Sequence, residues 1–402
     1  MRWAWLTVLF FFCLPVLAAD GPPPAPPAAA LEGPKPKAIE PPAARDIDNA
    51  INRGIAFLLK RQNKDGSWGS ANITRPGEID SPVPGAHHAF KAAVTSMCIS
   101  ALIEIGGDRS EVTGALDRGE AWLFEHLPHV RRATPDTFYN VWAHAYSIQA
   151  LTHMLGRKPG DAERQQRIRA LIDSQIDRLN RYEVVDGGWA YYDFDYHTQK
   201  PGGSSIGFVT AAVLVALHDA KLAGVDVPKR LVDRGTASIL RQRKPDFSMD
   251  YGEYLKYMPQ RLINRPSGSL GRSQACNIAM RLWGDRLVTD AVLKTWLDRL
   301  FARNLWLDMG RKRPIPHESW CQVAAYFFYF GHYYAALCIE QLPEKERPYF
   351  QDHLAHILLR LQEKDGSWWD FPMFDYHQQY GTAFALMSLG RTRKTTESTA
   401  SR

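Results

Sequence analysis

Cysteine is scarce in this chain, with five in 402 residues and no CxxC pair. Cys13 lies in the N-terminal apolar run, which leaves Cys98, Cys276, Cys321 and Cys338 for the body of the protein. Cys321 and Cys338 are 17 positions apart on one expected helix, about 25 Å, which is too far to bond. The four are either free buried thiols or include a single long-range disulfide. Charge of one sign is also lacking. The formal net charge is +6, and Lys and Arg are spread without an aromatic-basic motif, which excludes a nucleic-acid partner. After the N-terminus no further run is long and apolar enough to suggest a membrane span.

What is present begins at the N-terminus. Arg2, then Trp3 to Leu17, then Val16-Leu17-Ala18-Ala19 have the layout of a secretory signal over 1–19. The chain is therefore expected to be exported, to a periplasm or the medium, with an uncleaved anchor as the alternative. Residues 20–45 are rich in Pro and Ala and read as a disordered, semi-rigid tether. Residues 391–402 read as a disordered tail. Between them lies one domain, 46–390, of ordinary globular composition.

The domain is organised by a repeated phrase. Gln62-Asn63-Lys64-Asp65-Gly66-Ser67-Trp68 returns 300 residues later as Gln362-Glu363-Lys364-Asp365-Gly366-Ser367-Trp368. A shorter form is Asp186-Gly187-Gly188-Trp189, and a worn copy starts at Gln242. The offsets are near multiples of sixty, so the chain divides into about six units of about sixty residues. Each unit holds an amphipathic helix followed by one that is apolar nearly all round and hence buried. Outer helices are expected at 46–63, 113–127, 161–181, 229–243, 286–303 and 345–364. Inner helices are expected at 87–106, 138–156, 204–223, 267–283, 319–340 and 376–390. The fold class is all-α: an (α/α)6 toroid of six helical hairpins. All the long loops run from outer to inner helices and share one end, so that end is the working face. Converging inner-helix N-termini there suit an anion. Asp-Gly should stop each outer helix, with Trp68, Trp189 and Trp368 covering its end.

This phrase around a helical ring resembles the QW repeat of squalene-hopene and oxidosqualene cyclases, whose α/α-toroid is shared by protein prenyltransferase β subunits. The resemblance covers most of 46–390 and implies an axial cavity for an apolar or isoprenoid-like ligand. Gly187-Gly188-Trp189-Ala190-Tyr191 followed by Val209-Thr210-Ala211 is similar to the stretch carrying the cyclase Asp-x-Asp-Asp-Thr-Ala motif. Phe208 and Val209 stand where that motif has its two consecutive acids, so the protonating carboxylate is missing. The prenyltransferase resemblance implies a zinc site, with His377 in the matching context and Glu318 and Cys321 as further ligands.

Phe194-Asp195-Tyr196-His197 recurs as Phe374-Asp375-Tyr376-His377, half a ring away. The pairs Asp195–His197 and Asp375–His377 are candidate acid–base pairs on opposite walls of one mouth, or else repeated helix caps. Basic stretches at Arg131-Arg132, Arg261 to Arg272 and Arg311-Lys312-Arg313 suit a ligand with an anionic part. Arg272, Tyr196, Tyr376, Trp189 and Trp320 are the expected ligand contacts. The aromatic run Tyr326 to Tyr334 is expected to line or pack the cavity. Three functions stay open: a cyclase- or prenyltransferase-like protein, a non-catalytic envelope toroid binding protein or membrane surfaces, and a carbohydrate-active α/α-barrel.

Overall fold

The computed structural model describes residues 25–75, 84–193 and 200–393. The expected signal 1–19 and residues 394–402 of the expected tail lie outside them. The described residues contain helices and isolated bridges but no strand ladder. Helices α1 (Ala44–Lys60), α3 (Ser110–His126), α5 (Ala162–Tyr182), α7 (Lys229–Gln242), α9 (Asp290–Ala302) and α12 (Arg347–Arg360) form the outer ring. Helices α2 (Pro84–Ile105), α4 (Asn140–Leu155), α6 (Gly207–Leu222), α8 (Leu270–Leu282), α11 (Phe327–Glu340) and α13 (His377–Gly390) form the inner ring. A short α10 (Asn304–Asp308) follows α9. Each inner helix packs on the next, and α13 packs back on α2, so the toroid is closed.

The two rings follow from two residue patterns. In α1, Ile47, Ala50, Ile51, Ile55 and Leu58 recur every three to four positions and are buried, while charges occupy the other face. Asp46 in its first turn and Lys60 in its last complement the helix dipole. In α6, by contrast, every residue from Phe208 to Leu217 is buried. Such a helix has no face to give to water and must lie inside the ring. Each large aliphatic or aromatic side chain so buried contributes roughly 1.5–3 kcal/mol.

The repeated phrase is the joint between units. Trp68, Trp189 and Trp368 are wholly inaccessible. Each indole N–H donates at 2.8 Å to a carbonyl ten residues back, in the last turns of the outer helix: Leu58, Leu179 and Leu358. At two of these carbonyls the indole joins a backbone amide of the last turn, Arg61 N on Leu58 O and Leu361 N on Leu358 O, each at 3.2 Å. The backbone N–H of each Trp donates to a threonine on the following inner helix, at 3.0 Å to Thr95, 2.9 Å to Thr210 and 3.0 Å to Thr382. Thr210, which the sequence resemblance places in a cyclase-like stretch, is thus a strut. The glycines press on the next outer helix. A Cβ at Gly66 would lie 2.4 Å from Arg118 O, at Gly187 2.8 Å from Arg234 O, and at Gly366 2.5 Å from Arg53 O. All three have φ above +90° or at it, a region that favours glycine. In the worn copy Phe247 takes this place at φ +63°.

Four expectations change. The segment read as a free tether is docked at residues 29–32: Ala30 is inaccessible, and Arg299 on α9 donates to Ala29 O at 2.8 Å and to Glu32 O at 2.9 Å. Backbone carbonyls make this contact, so side-chain composition does not announce it. The start of the expected tail is also anchored, because Arg391 pairs with Glu104 and, at 3.0 Å, with Glu340. Gly85–Ile105 has the length and apolarity of a membrane span, yet it is packed inside the ring as a core helix. The fifth inner helix begins at Phe327 rather than 319, which removes Cys321 from it. All four cysteines are free and buried. Burial pushes the Cys276 thiol up to about 12, so it stays protonated.

The joint makes a stability prediction. Gly366→Ala adds a clash at ring closure to the cost of a left-handed backbone, whereas Gly107, at φ +66° with nothing within 4 Å, meets only the backbone cost. Chemical denaturation should show Gly107→Ala losing about 1–2 kcal/mol and Gly366→Ala clearly more. Equal losses would mean that the Gly366–Arg53 contact does not hold the ring shut.

Candidate functional site

Each long outer-to-inner loop ends beside the first turn of an inner helix, and these first turns surround the ring axis. Between them lies a cavity of about 410 Å³, open at that end. Phe90, Trp142, Phe208, Phe330 and Phe384 supply its wall from five inner helices. Their rings meet edge-to-face or offset, as Phe208–Phe327 at 4.8 Å and Trp142–Phe208 at 6.1 Å, the arrangement aromatic quadrupoles prefer. Of the expected aromatic run, Tyr326, Phe327 and Phe330 line the cavity, and the other four are buried in the packing behind it. No Asp, Glu, Lys or Arg among the described residues lines the wall. Its polar groups are tyrosine hydroxyls and His317.

These polar groups are connected. The Tyr191 and Tyr251 hydroxyls bond to each other, Tyr251 meets Tyr326 at 3.1 Å, and Tyr326 meets His317 Nε2 at 3.4 Å. His317 Nδ1 lies 2.8 Å from the Gln322 carbonyl. Burial pulls the His317 pKa below its ordinary range, and nearby Arg272 adds to this. Burial drives the Tyr191 and Tyr251 hydroxyls upward, so both remain protonated. Behind the wall Asp370 is inaccessible and accepts from Tyr380 Oη at 2.6 Å and Tyr329 N at 3.0 Å. Burial lifts its carboxyl to about 6.

Most of the residues expected to form the site do other work. Asp195, Tyr196 and His197 lie outside the described residues. Asp375 does not bond to His377: its carboxylate takes Arg61, Ser70 Oγ at 3.2 Å and Gln379 at 3.3 Å, tying the last unit to the first. His377 Nδ1 faces Phe374 O at 2.6 Å, and Nε2 accepts from Arg75 at 3.2 Å. Burial holds the His377 pKa down at about 4, the reverse of an imidazole made basic by a carboxylate. Among the described residues no three His, Cys, Asp or Glu side chains form a metal group. The expected zinc ligands are dispersed: Glu318 pairs with Arg313 at 3.2 Å, Cys321 is buried in a loop, and His377 is engaged as above.

The expected ligand contacts also move. Arg272 is enclosed and donates to Met249 O at 3.0 Å, Gly268 O at 2.7 Å and Ile263 O, bracing the loop that carries Tyr251. Stripped of water, its pKa falls to about 10. Trp189 is a helix cap, and Tyr376 is buried with its hydroxyl donating to His87 O at 3.2 Å. Trp320 is 68% exposed, on the loop that carries His317 to the mouth. Sequence reasoning passed over Tyr251 and Asp370. The one available signal was Trp369-Asp370 following the phrase, where the first copy has Gly69-Ser70.

No family model and no curated protein matches the sequence. Among solved structures, an inactive variant of an α-1,6-mannanase of Salegentibacter, in complex with α-1,6-mannotriose, is similar over 86% of this chain and 99% of its own, at 8% identity and a TM-score of 0.53. A type II terpene cyclase from Scytonema aligns over 87% of this chain and 98% of its own, at 16% identity and a TM-score of 0.48. The mannanase likeness shows the α/α-barrel fold and nothing about activity.

The His377 assignment is measurable. In a histidine-resolved NMR titration His377 should stay neutral until about pH 4. Because its folded pKa lies below the unfolded value of about 6.5, its contribution to stability is complete above pH 6.5 and is lost as pH falls toward 4. Asp375→Asn should leave the titration nearly in place. A His377 pKa above 6.5 that falls in this variant would restore the acid–base pair.

Proposed function

We propose that the chain is an exported toroid that holds an apolar, isoprenoid-like molecule in its axial cavity and meets a membrane surface with its mouth. The observation that carries this reading is the cavity wall: aromatic from five inner helices, with no carboxylate among the described residues. Such a lining recovers hydrophobic free energy from a hydrocarbon chain but offers no acid to protonate an alkene. Binding is therefore favoured over protonation-driven cyclisation. The same lack disfavours glycoside hydrolysis, which needs two carboxyl groups facing the sugar.

The membrane part rests on the rim. Tyr257 is 84% exposed and Trp320 68%, and Met258, Met309 and Ile315 are exposed beside them on the two loops that border the mouth. Arg261 and Arg265 are exposed on the first of these loops. Exposed aromatic and aliphatic side chains with neighbouring cations match the interface of a bilayer containing anionic lipid. Among the described residues no charged group lines the cavity itself, which leaves an anionic headgroup to this rim.

Ala93 lines the cavity and gives a direct test. Native mass spectrometry of the exported form with prenyl lipids of fifteen to twenty carbons should show one-to-one complexes. Ala93→Trp, which fills the space, should weaken binding at least tenfold while thermal stability stays close to wild type. A stable Ala93→Trp protein that binds as before would place the ligand elsewhere. In a second experiment, Tyr257→Ser with Trp320→Ser should reduce co-sedimentation with vesicles of phosphatidylglycerol by several-fold. Unchanged sedimentation would remove the membrane from the proposal.

A further inference from the structure

The hydroxyl chain on the cavity wall has a direction. The Gln322 carbonyl can only accept, so His317 Nδ1, 2.8 Å away, must carry a proton. A neutral imidazole then has a lone pair at Nε2, and the Tyr326 hydroxyl must donate to it. A phenol has one proton. With that proton committed, the Tyr326 oxygen only accepts, so Tyr251 donates to Tyr326. By the same step Tyr191 donates to Tyr251. Any other hydroxyl that meets these oxygens is likewise forced to donate. The last oxygen, on Tyr191, keeps acceptor capacity and has no proton left to offer. Tyr191 borders the cavity.

We infer that the ligand of this cavity is an apolar alcohol or phenol, a hydrocarbon body with one hydrogen-bond-donating hydroxyl, and that this hydroxyl docks on the Tyr191 oxygen. The inference rests on the apolar-ligand reading above and adds the polar group to it. The Tyr191 position discriminates against the matched ether or ester, whose oxygen would meet the Tyr191 oxygen lone pair to lone pair. An unpartnered buried acceptor costs more than a hydrogen bond gains. A plain hydrocarbon avoids that cost but leaves the acceptor lone pair of Tyr191 unused. The order of affinity is thus alcohol, then hydrocarbon, then ether.

His317 sets the direction from a distance and is a positioning residue. Its backbone φ is +66°, a conformation Asn tolerates and most side chains do not. Tyr326→Phe cuts the chain one step along without touching that backbone.

The experiment compares farnesol, its methyl ether and farnesene with the exported protein by titration calorimetry. Wild type should bind farnesol roughly tenfold tighter than the methyl ether. Tyr326→Phe and His317→Asn free a proton upstream, so in each the farnesol-to-ether ratio should fall toward one. Equal binding of farnesol and ether by wild type overturns the alcohol assignment and leaves the apolar cavity standing. A ratio that survives both variants overturns the relay from His317. If none of the three binds, the apolar-ligand reading itself fails.

Discussion

The ring depends on one joint: a buried tryptophan whose indole N–H closes the end of its own outer helix while the preceding glycine lies against the next one. A helix end buried without partners would carry unsatisfied carbonyls at a cost of about 1–3 kcal/mol each. Trp68, Trp189 and Trp368 lower that cost by adding a donor at the places where the chain turns inward. The glutamine at the head of the phrase adds the lateral link. Gln62 donates to Ala115 O at 2.8 Å on α3, and Gln362 donates to Ala50 O at 2.9 Å on α1. The second of these bonds joins the last unit to the first and is one of the contacts that close the ring.

Closure dictates the interior. Six helices buried nearly all round can satisfy one another only around a common axis, and large rings at their first turns keep the axis from filling completely. Small residues do the opposite elsewhere. A Cβ at Gly331 would lie 2.6 Å from Gly271 Cα, so α8 and α11 touch backbone to backbone. This explains why α8 alone among the inner helices gives no side chain to the cavity. Its place on the wall is taken by Tyr251, held forward by the buried Arg272.

The ring was legible because its joint is local. The phrase spans seven residues, its bonds repeat, and its period survives divergence; the outer helices were likewise written in three-to-four spacing. The site was illegible for the opposite reason. Asp375 looks like a partner for His377 two residues away, yet its carboxylate turns to Arg61, more than three hundred positions distant in sequence and adjacent only once the ring is shut. Arg272 looks like an anion receptor in a basic stretch, but three carbonyls claim it. The Pro-rich arm looks like a tether because composition records side chains, whereas Arg299 reads the arm's backbone. In each case the residue type was informative and the partner was not.

The late start of α11 shows how the mouth acquired its polar chain. Val323, Ala324 and Ala325 are apolar enough to continue the helix backward, and the sequence pattern counts them in it. Two contacts prevent that. Ser319 Oγ accepts from Val323 N at 3.1 Å and donates to Val323 O at 2.9 Å, while His317 holds the Gln322 carbonyl. Both pull the chain into a loop in which Lys312, His317 and Gln322 all have positive φ, each at a cost of about 1–3 kcal/mol. A helix here would have carried its side chains away along the ring axis. The loop instead brings Pro316, His317 and Tyr326 to the cavity edge together. Backbone strain is thus concentrated in the loop that sets this imidazole beside the tyrosine hydroxyls of the wall, where simple core packing would have relaxed it.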